Sequence, residues 1–280
     1  DLFGYSASMP QILKKSGIRY FMTTKISWNE VNRIPNDTMV WRGIDGTGIL
    51  TYFITTQENK KTPGEDPDDF TTTYNGEITP SQVSGCWERY SNKGMNQDIL
   101  NCFGFGDGGG GATADMLEQH ARLKKGITGI PRTKQGFAKE FFHRLEHNLK
   151  DRDVPEWSGE LYLEFHRGTY TSMGRNKRYN RLCEWKNCDV EQFSVLGRLL
   201  RTGLLYPRED LNRCWKLTLL NQFHDILPGS SIKEVYEDSK TQYEEILRTD
   251  RQNIEKALRA VADRIPASGR SAVVFNPLYT

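Results

Sequence analysis

The chain has 280 residues, enough for about two domains at roughly 150 residues each. With 36% hydrophobic and 26% charged residues, its composition is globular rather than disordered. Lys plus Arg number 38 and Asp plus Glu 36, a net formal charge of +2, which is too balanced for a nucleic-acid or membrane-surface protein, and no apolar run of about 18 residues predicts a transmembrane helix.

The first residues, DLFGYSASMPQ, have no basic n-region and no apolar h-region, so they are not expected to be a signal peptide. Without a leading Met they read as the start of a piece of a longer chain. Residues 18–24, 39–41 and 49–54 are rich in β-branched and aromatic side chains and are expected to be strands. The polar stretch 57–85, with Pro63, Pro67 and Pro80, reads as a long excursion or lid. Residues 99–105 are expected to form another buried strand. It leads through the glycine-rich loop 106–111 into a helix opened by Thr113 and closed by Gly126. Residues 127–130 are the next strand candidate. Strand, loop and helix in repeating order predict an α/β unit with mostly parallel strands, whose function gathers at the C-terminal ends of the strands.

Beyond Pro155 the pattern turns helical. Asp189 with Gln192 predicts a helix start, and Gly203 its stop; Phe193, Leu196, Leu200 and Leu204 form its stripe. A second helix is expected over 209–223. The sequence Ser231-Ile-Lys-Glu234 reads as a capping box for a third, long helix. The stripe of that helix includes Val235, Tyr236, Tyr243, Ile246, Leu247, Ile254, Leu258, Val261 and Ile265. Glu244/Arg248 and Glu255/Arg259 are spaced to pair on its wet face. Three such helices predict a small bundle, and residues 271–275 look like the first strand of a further unit. The expected divisions are 1–157, 158–265 and 266–280.

Five cysteines without a CxxC pair favour reduced thiols and a reducing, cytoplasmic compartment. Residues 104–109 match GxGxxG between a strand and a helix. Asp107 inside that loop would repel a pyrophosphate, and no acidic residue ends the next strand candidate to bind a ribose. The loop reads instead as a structural glycine turn, or as one that lets substrate approach Asp107 closely. His143, Glu146 and His147 match HxxEH. Both histidines lie about 200° from the stripe of Phe137, Phe141, Leu145 and Leu149, so they are expected to face solvent; His120 is expected to be structural. His224-Asp225 closes the second bundle helix, and reads as a metal ligand with a carboxylate beside it or as a helix C-terminal cap. Asp1, Asp45 and Asp107 sit in small turns near aromatics. Such carboxylates can pair for acid/base work beside rings that stack on sugars, and each is also an ordinary turn residue.

Together the stretches DLFGYSASMPQILKKSGIRYFMTTKISWNE, WRGIDGTG, FGFGDGGGGAT, LYLEFHRGTYTS and LNQFHDILPGSSI resemble glycoside hydrolase family 38, the retaining, zinc-dependent α-mannosidases. The third motif is most similar to the bacterial and cytosolic or vacuolar branch. The resemblance implies the later part of a (β/α) barrel-like catalytic domain, a middle three-helix bundle and the start of a β-rich domain. It implies Asp1 as nucleophile and zinc ligand, Asp107 as general acid/base and His224 as a second zinc ligand. Phe3, Asp45, His166, Arg167 and Asp225 would line the substrate, an α-mannoside glycan. Retention would place the Asp1 and Asp107 carboxyls about 5–6 Å apart. The family's other two zinc ligands, a His-x-Asp pair, lie upstream of the nucleophile motif, so this 280-residue piece is expected to be inactive or nearly so by itself. No nucleic-acid or membrane partner is expected, and exposed helix faces are compatible with a homo-oligomer. The alternatives are a non-catalytic carbohydrate-binding relative and a different metal-dependent hydrolase.

Overall fold

The computed structural model describes residues 2–57 and 71–278. The chain divides into two compact units, Asp1–Arg167 and Gly168–Thr280.

The first unit is built on a four-stranded sheet of β1 (Tyr20–Thr23), β2 (Thr38–Arg42), β3 (Gly48–Phe53) and β4 (Glu156–Ser158), in the order β1-β3-β2-β4. The β1–β3 and β2–β4 pairings are parallel, and β2–β3 is an antiparallel hairpin. The expected α/β class with mostly parallel strands is therefore present. Alternation along β3 sorts its side chains between two cores. Ile49 and Phe53 join Tyr5, Ile26, Met39, Trp41 and Leu161 on one face. Leu50 and Tyr52 join Tyr90, Phe141, Phe142, Leu145 and Leu149 on the other. Helix α1 (Met9–Lys15) supplies Met9 and Leu13 to the first core. It is too short to show a helical period and was not expected.

Residues 58–70 of the expected lid lie outside the described residues. The rest of that stretch is ordered structure rather than an excursion. Thr72 bridges Gln57, and α2 (Pro80–Arg89) starts where the Thr79 side chain accepts from the Gln82 amide at 3.3 Å. The face of α2 that packs inward carries Gln82, Val83, Gly85 and Cys86, too polar a set to stand out as a stripe.

Residues 99–105 are not a strand; only the bridge Gly76–Phe103 forms among the described residues. Side chains replace the ladder there. The Leu100 amide donates to the Tyr52 hydroxyl at 3.1 Å and the Cys102 amide to Thr56 Oγ1 at 3.2 Å. Residues 127–130 form a turn, with Gly126 and Gly129 in the left-handed region. Helices α3 (Ala114–Leu123), capped by Thr113, and α4 (Ala138–Asn148) follow the expected pattern. Phe137 is the exception, at the exposed cap of α4. His143 and His147 face solvent, and buried His120 shares a hydrogen bond with Thr133.

The second unit packs α5 (Gly174–Leu199), α6 (Arg208–Asn221) and α7 (Lys233–Ala262) against one another. Helix α5 starts well before the expected cap at Asp189. Its first half buries Asn176, Asn180, Cys183 and Asn187, and the three asparagines bond across the bundle instead of forming an apolar stripe. The Asn176 amide reaches Ser239 Oγ at 2.8 Å, and that of Asn187 reaches Thr218 Oγ1 at 3.2 Å. Leu196 and Leu200 of the expected stripe are exposed; Val190, Phe193 and Gly197 are buried. The Ser231 capping box does not form. Ile232 is the N-cap of α7, without a side-chain cap bond, and the Ser231 amide donates to the Tyr236 hydroxyl at 3.0 Å. On the wet face Glu244 pairs with Lys240 and Glu255 with Arg251, so these carboxylates turn toward the preceding cation rather than toward Arg248 or Arg259. Residues 271–275 form no ladder among the described residues. No helix there is long and apolar enough to cross a membrane.

Candidate active site

The glycine-rich loop presents Asp107 beyond the C-terminal end of β3. The Phe105 amide donates to the Gly111 carbonyl at 2.9 Å, which closes the loop on itself. Inside it Gly106 leaves room for the Asn75 side chain: a Cβ there would meet Asn75 Oδ1 at 2.6 Å. That close approach lets Asn75 Oδ1 accept from the amides of Gly106 and Asp107, at 2.7 and 3.1 Å. The Tyr74 hydroxyl donates to Asp107 Oδ1 at 2.6 Å, and the Asn75 amide group donates to Oδ2. The exposed carboxylate is thus oriented through both oxygens. Lys25 is buried at 9% exposure. Its ammonium stands 4.1 Å from the Trp28 ring centroid and 5.8 Å from that of Tyr74, within cation–π range.

Tyr74, Asn75 and Lys25 were not singled out from the sequence. The polar run around 71–78 has no period to place its aromatic, and a lone Lys ending a strand reads as a solvated terminus.

Phe3 and His166 stack face to face, with ring centroids 4.0 Å apart and planes 2° from parallel. Their two segments are held side by side by a pair of backbone bonds between Tyr5 and Leu161, at 2.8 and 2.9 Å. Gly4, at φ +98, lies against Leu161 in that crossing. The Tyr5 hydroxyl reaches Thr23 Oγ1 at 2.8 Å, which anchors this segment at the C-terminal end of β1. Arg167 is exposed, and its Nε donates to the Glu164 carbonyl at 3.3 Å. Asp1 lies outside the described residues.

Asp45 is not brought to this end of the sheet. It sits in the β2–β3 hairpin turn, where it accepts from the Thr47 amide at 2.9 Å, and that bond lowers its pKa. All six residues of β3, at about 3.4 Å each, separate this turn from the loop that follows the strand.

In the second unit, His224-Asp225 follows α6 in a turn pinned from two sides. The Lys177 ammonium donates to the carbonyls of Ser172, Leu227 and Pro228, at 2.5, 3.0 and 3.3 Å. The Tyr236 hydroxyl donates to the Ile226 carbonyl at 3.1 Å. Gly229 has φ +92, and a Cβ there would meet Ser172 Cβ at 2.6 Å. His224 keeps 36% of its side chain exposed, with Nε2 3.8 Å from Asp225 Oδ2. An accessible imidazole on a fixed turn fits the donor chemistry of zinc. Among the described residues, no three His, Cys, Asp or Glu side chains gather to hold a metal.

The family model described as "Glycosyl hydrolases family 38 N-terminal domain" matches residues 1–160, more than half of the chain. The chain belongs to glycosyl hydrolase family 38. The model "Alpha mannosidase middle domain" matches residues 164–261. Alpha-mannosidase 2C1 of Homo sapiens is 39% identical over 246 residues, covering 88% of this chain and 22% of its own length. Alpha-mannosidase G of Dictyostelium discoideum is 39% identical over 254 residues, covering 88% and 21%. The Alpha-mannosidase of Saccharomyces cerevisiae is 38% identical over 243 residues, covering 84% and 21%. The chain thus spans about a fifth of the length of these relatives. The crystal structure of an alpha-mannosidase from Enterococcus faecalis V583 shares the fold, with a TM-score of 0.64 at 19% identity, covering 94% of this chain and 29% of that one.

Proposed function

We propose that the whole protein hydrolyses terminal α-D-mannosyl residues of glycans, with retention of configuration and with the help of zinc. The observation that carries this reading is Asp107, an exposed carboxylate fixed through both oxygens by Tyr74 and Asn75 in a member of this family. In its protonated form Asp107 gives its proton to the departing glycosidic oxygen. Asp1 attacks the anomeric carbon, and the resulting glycosyl ester is hydrolysed by water that Asp107 then deprotonates. Phe3 and His166 form the ring platform along which the sugar lies, and Arg167 and Asp225 contact its hydroxyls. Asp45 lies away from Asp107 and is assigned no contact. Zinc, held by Asp1 and His224, would grip the vicinal 2- and 3-hydroxyls of mannose and stabilise developing charge. The free state of all five thiols supports a reducing, cytoplasmic setting.

The test follows hydrolysis of an aryl α-mannoside by the whole protein before chelation, after it, and after zinc is added back. Zinc-restored turnover that releases the α-anomer first supports the proposal. Folded, zinc-loaded protein that cleaves no α-mannoside, or releases the β-anomer first, overturns it.

A further inference from the structure

Glu164 carries a dense set of hydrogen bonds that the proposed chemistry does not use. Its Oε2 accepts from the backbone amides of Glu30 and Val31 at 2.8 and 3.1 Å. Its Oε1 accepts from the Asn32 amide at 2.7 Å and from Asn32 Nδ2 at 2.5 Å. The amide of Val31, ahead of those of Asn32 and Glu30, holds the carboxyl down at about 2. Buried Asn29 reinforces the junction. Its Oδ1 accepts from the Glu164 amide at 2.8 Å, and its Nδ2 donates to the Tyr162 carbonyl at 2.7 Å. Segments more than 130 positions apart in the chain are therefore stitched together.

What stands at the two ends of this stitch gives it meaning. Two residues beyond Glu164, on the 3-10 turn it begins, His166 stacks on Phe3. Just before the loop that Glu164 holds, the short 3-10 helix Lys25–Trp28 carries Lys25 and Trp28. Trp28 Nε1 donates to the Thr72 carbonyl at 3.0 Å, and two residues further Tyr74 holds Asp107. An unbroken path thus runs from the stacked rings through Glu164 to Asp107.

We infer that Glu164 is a positioning residue that sets the Phe3–His166 platform against the Asp107 carboxylate, and so governs sugar binding. The inference rests on the glycosidase reading above. A carboxylate is the group suited to this place, since four N–H donors converge on it and an amide would turn one N–H against another.

The test compares whole-length wild type with Glu164→Gln and, as a milder variant, Asn32→Ala, which removes one side-chain donor. Steady-state kinetics on an aryl α-mannoside and titration with methyl α-mannoside are read together with thermal melting. For Glu164→Gln, KM and the methyl mannoside Ki rise together by about tenfold. Meanwhile kcat and the pH limbs of kcat stay within about twofold, because Tyr74 and Asn75 still hold Asp107. Asn32→Ala shows the same pattern at about two- to threefold. A merely structural role would lower the melting temperature or the active fraction and leave KM and Ki in place. That outcome in a folded variant overturns the inference, and where Glu164→Gln does not fold, unchanged KM and Ki in Asn32→Ala do the same. A wild type without turnover defeats the glycosidase reading instead, a result separable from either.

Discussion

The Tyr74 hydroxyl donates to Asp107 Oδ1 across 2.6 Å, linking the segment after β3 to the glycine-rich loop. Its removal leaves one carboxyl oxygen unguided. Tyr74→Phe is therefore expected to lower kcat about tenfold or more. Steady-state kinetics of the whole protein on an aryl α-mannoside read the effect, and an unchanged kcat argues that Tyr74 does not orient the working carboxyl.

Asp250 is 1% exposed in the helical unit, and burial raises its pKa to about 7. Its Oδ2 has no hydrogen-bond partner among the described residues. A hydrogen bond from Cys214 to the carboxyl and the charge of Lys186 oppose the shift, and Asp189 and Asp210 add to it. A group raised in the folded state stabilises fully below its unfolded value of about 3.9, and that contribution is lost as pH rises through about 7. Asp250→Asn is expected to raise the melting temperature clearly more at pH 8 than at pH 5. Calorimetry at the two values checks this, and equal shifts at both count against it.

Gly229 sits against Ser172 with φ +92, in the turn that carries His224. Gly229→Ala must push that turn away from the Lys177 clamp. If His224 holds zinc as proposed, metal affinity falls about 10- to 100-fold, read as zinc retained against a graded chelator. Unchanged retention in the folded variant would place the metal elsewhere.

Much of this was legible in the chain and some was not, for physical reasons. Strands β1 to β3 announced themselves because alternate residues face two apolar cores. Asp107 stood out because its glycine-rich loop resembles a family motif and lets a substrate approach closely. Residues 99–105 misled because an apolar run signals burial, while its amides bond to Tyr52 and Thr56 side chains rather than to a strand. The first half of α5 was hidden because Asn176 and Asn187 are buried in bonded pairs that leave no stripe. Tyr74, Lys25 and Glu164 acquire their roles only from partners distant in sequence, which local pattern does not show. Asp45 looked like a site residue because its turn resembles a family motif, yet β3 separates that turn from Asp107.

The central claim is that Asp107 supplies the proton to the leaving group. The most direct measurement is kcat/KM of whole-length Asp107→Asn on two aryl α-mannosides, one with a poor and one with a good leaving group. The account predicts a loss of about 10²- to 10⁴-fold on the poor leaving group and a far smaller loss in glycosylation rate on the good one, which departs without help. Equal losses on both substrates, or none on either, would contradict it.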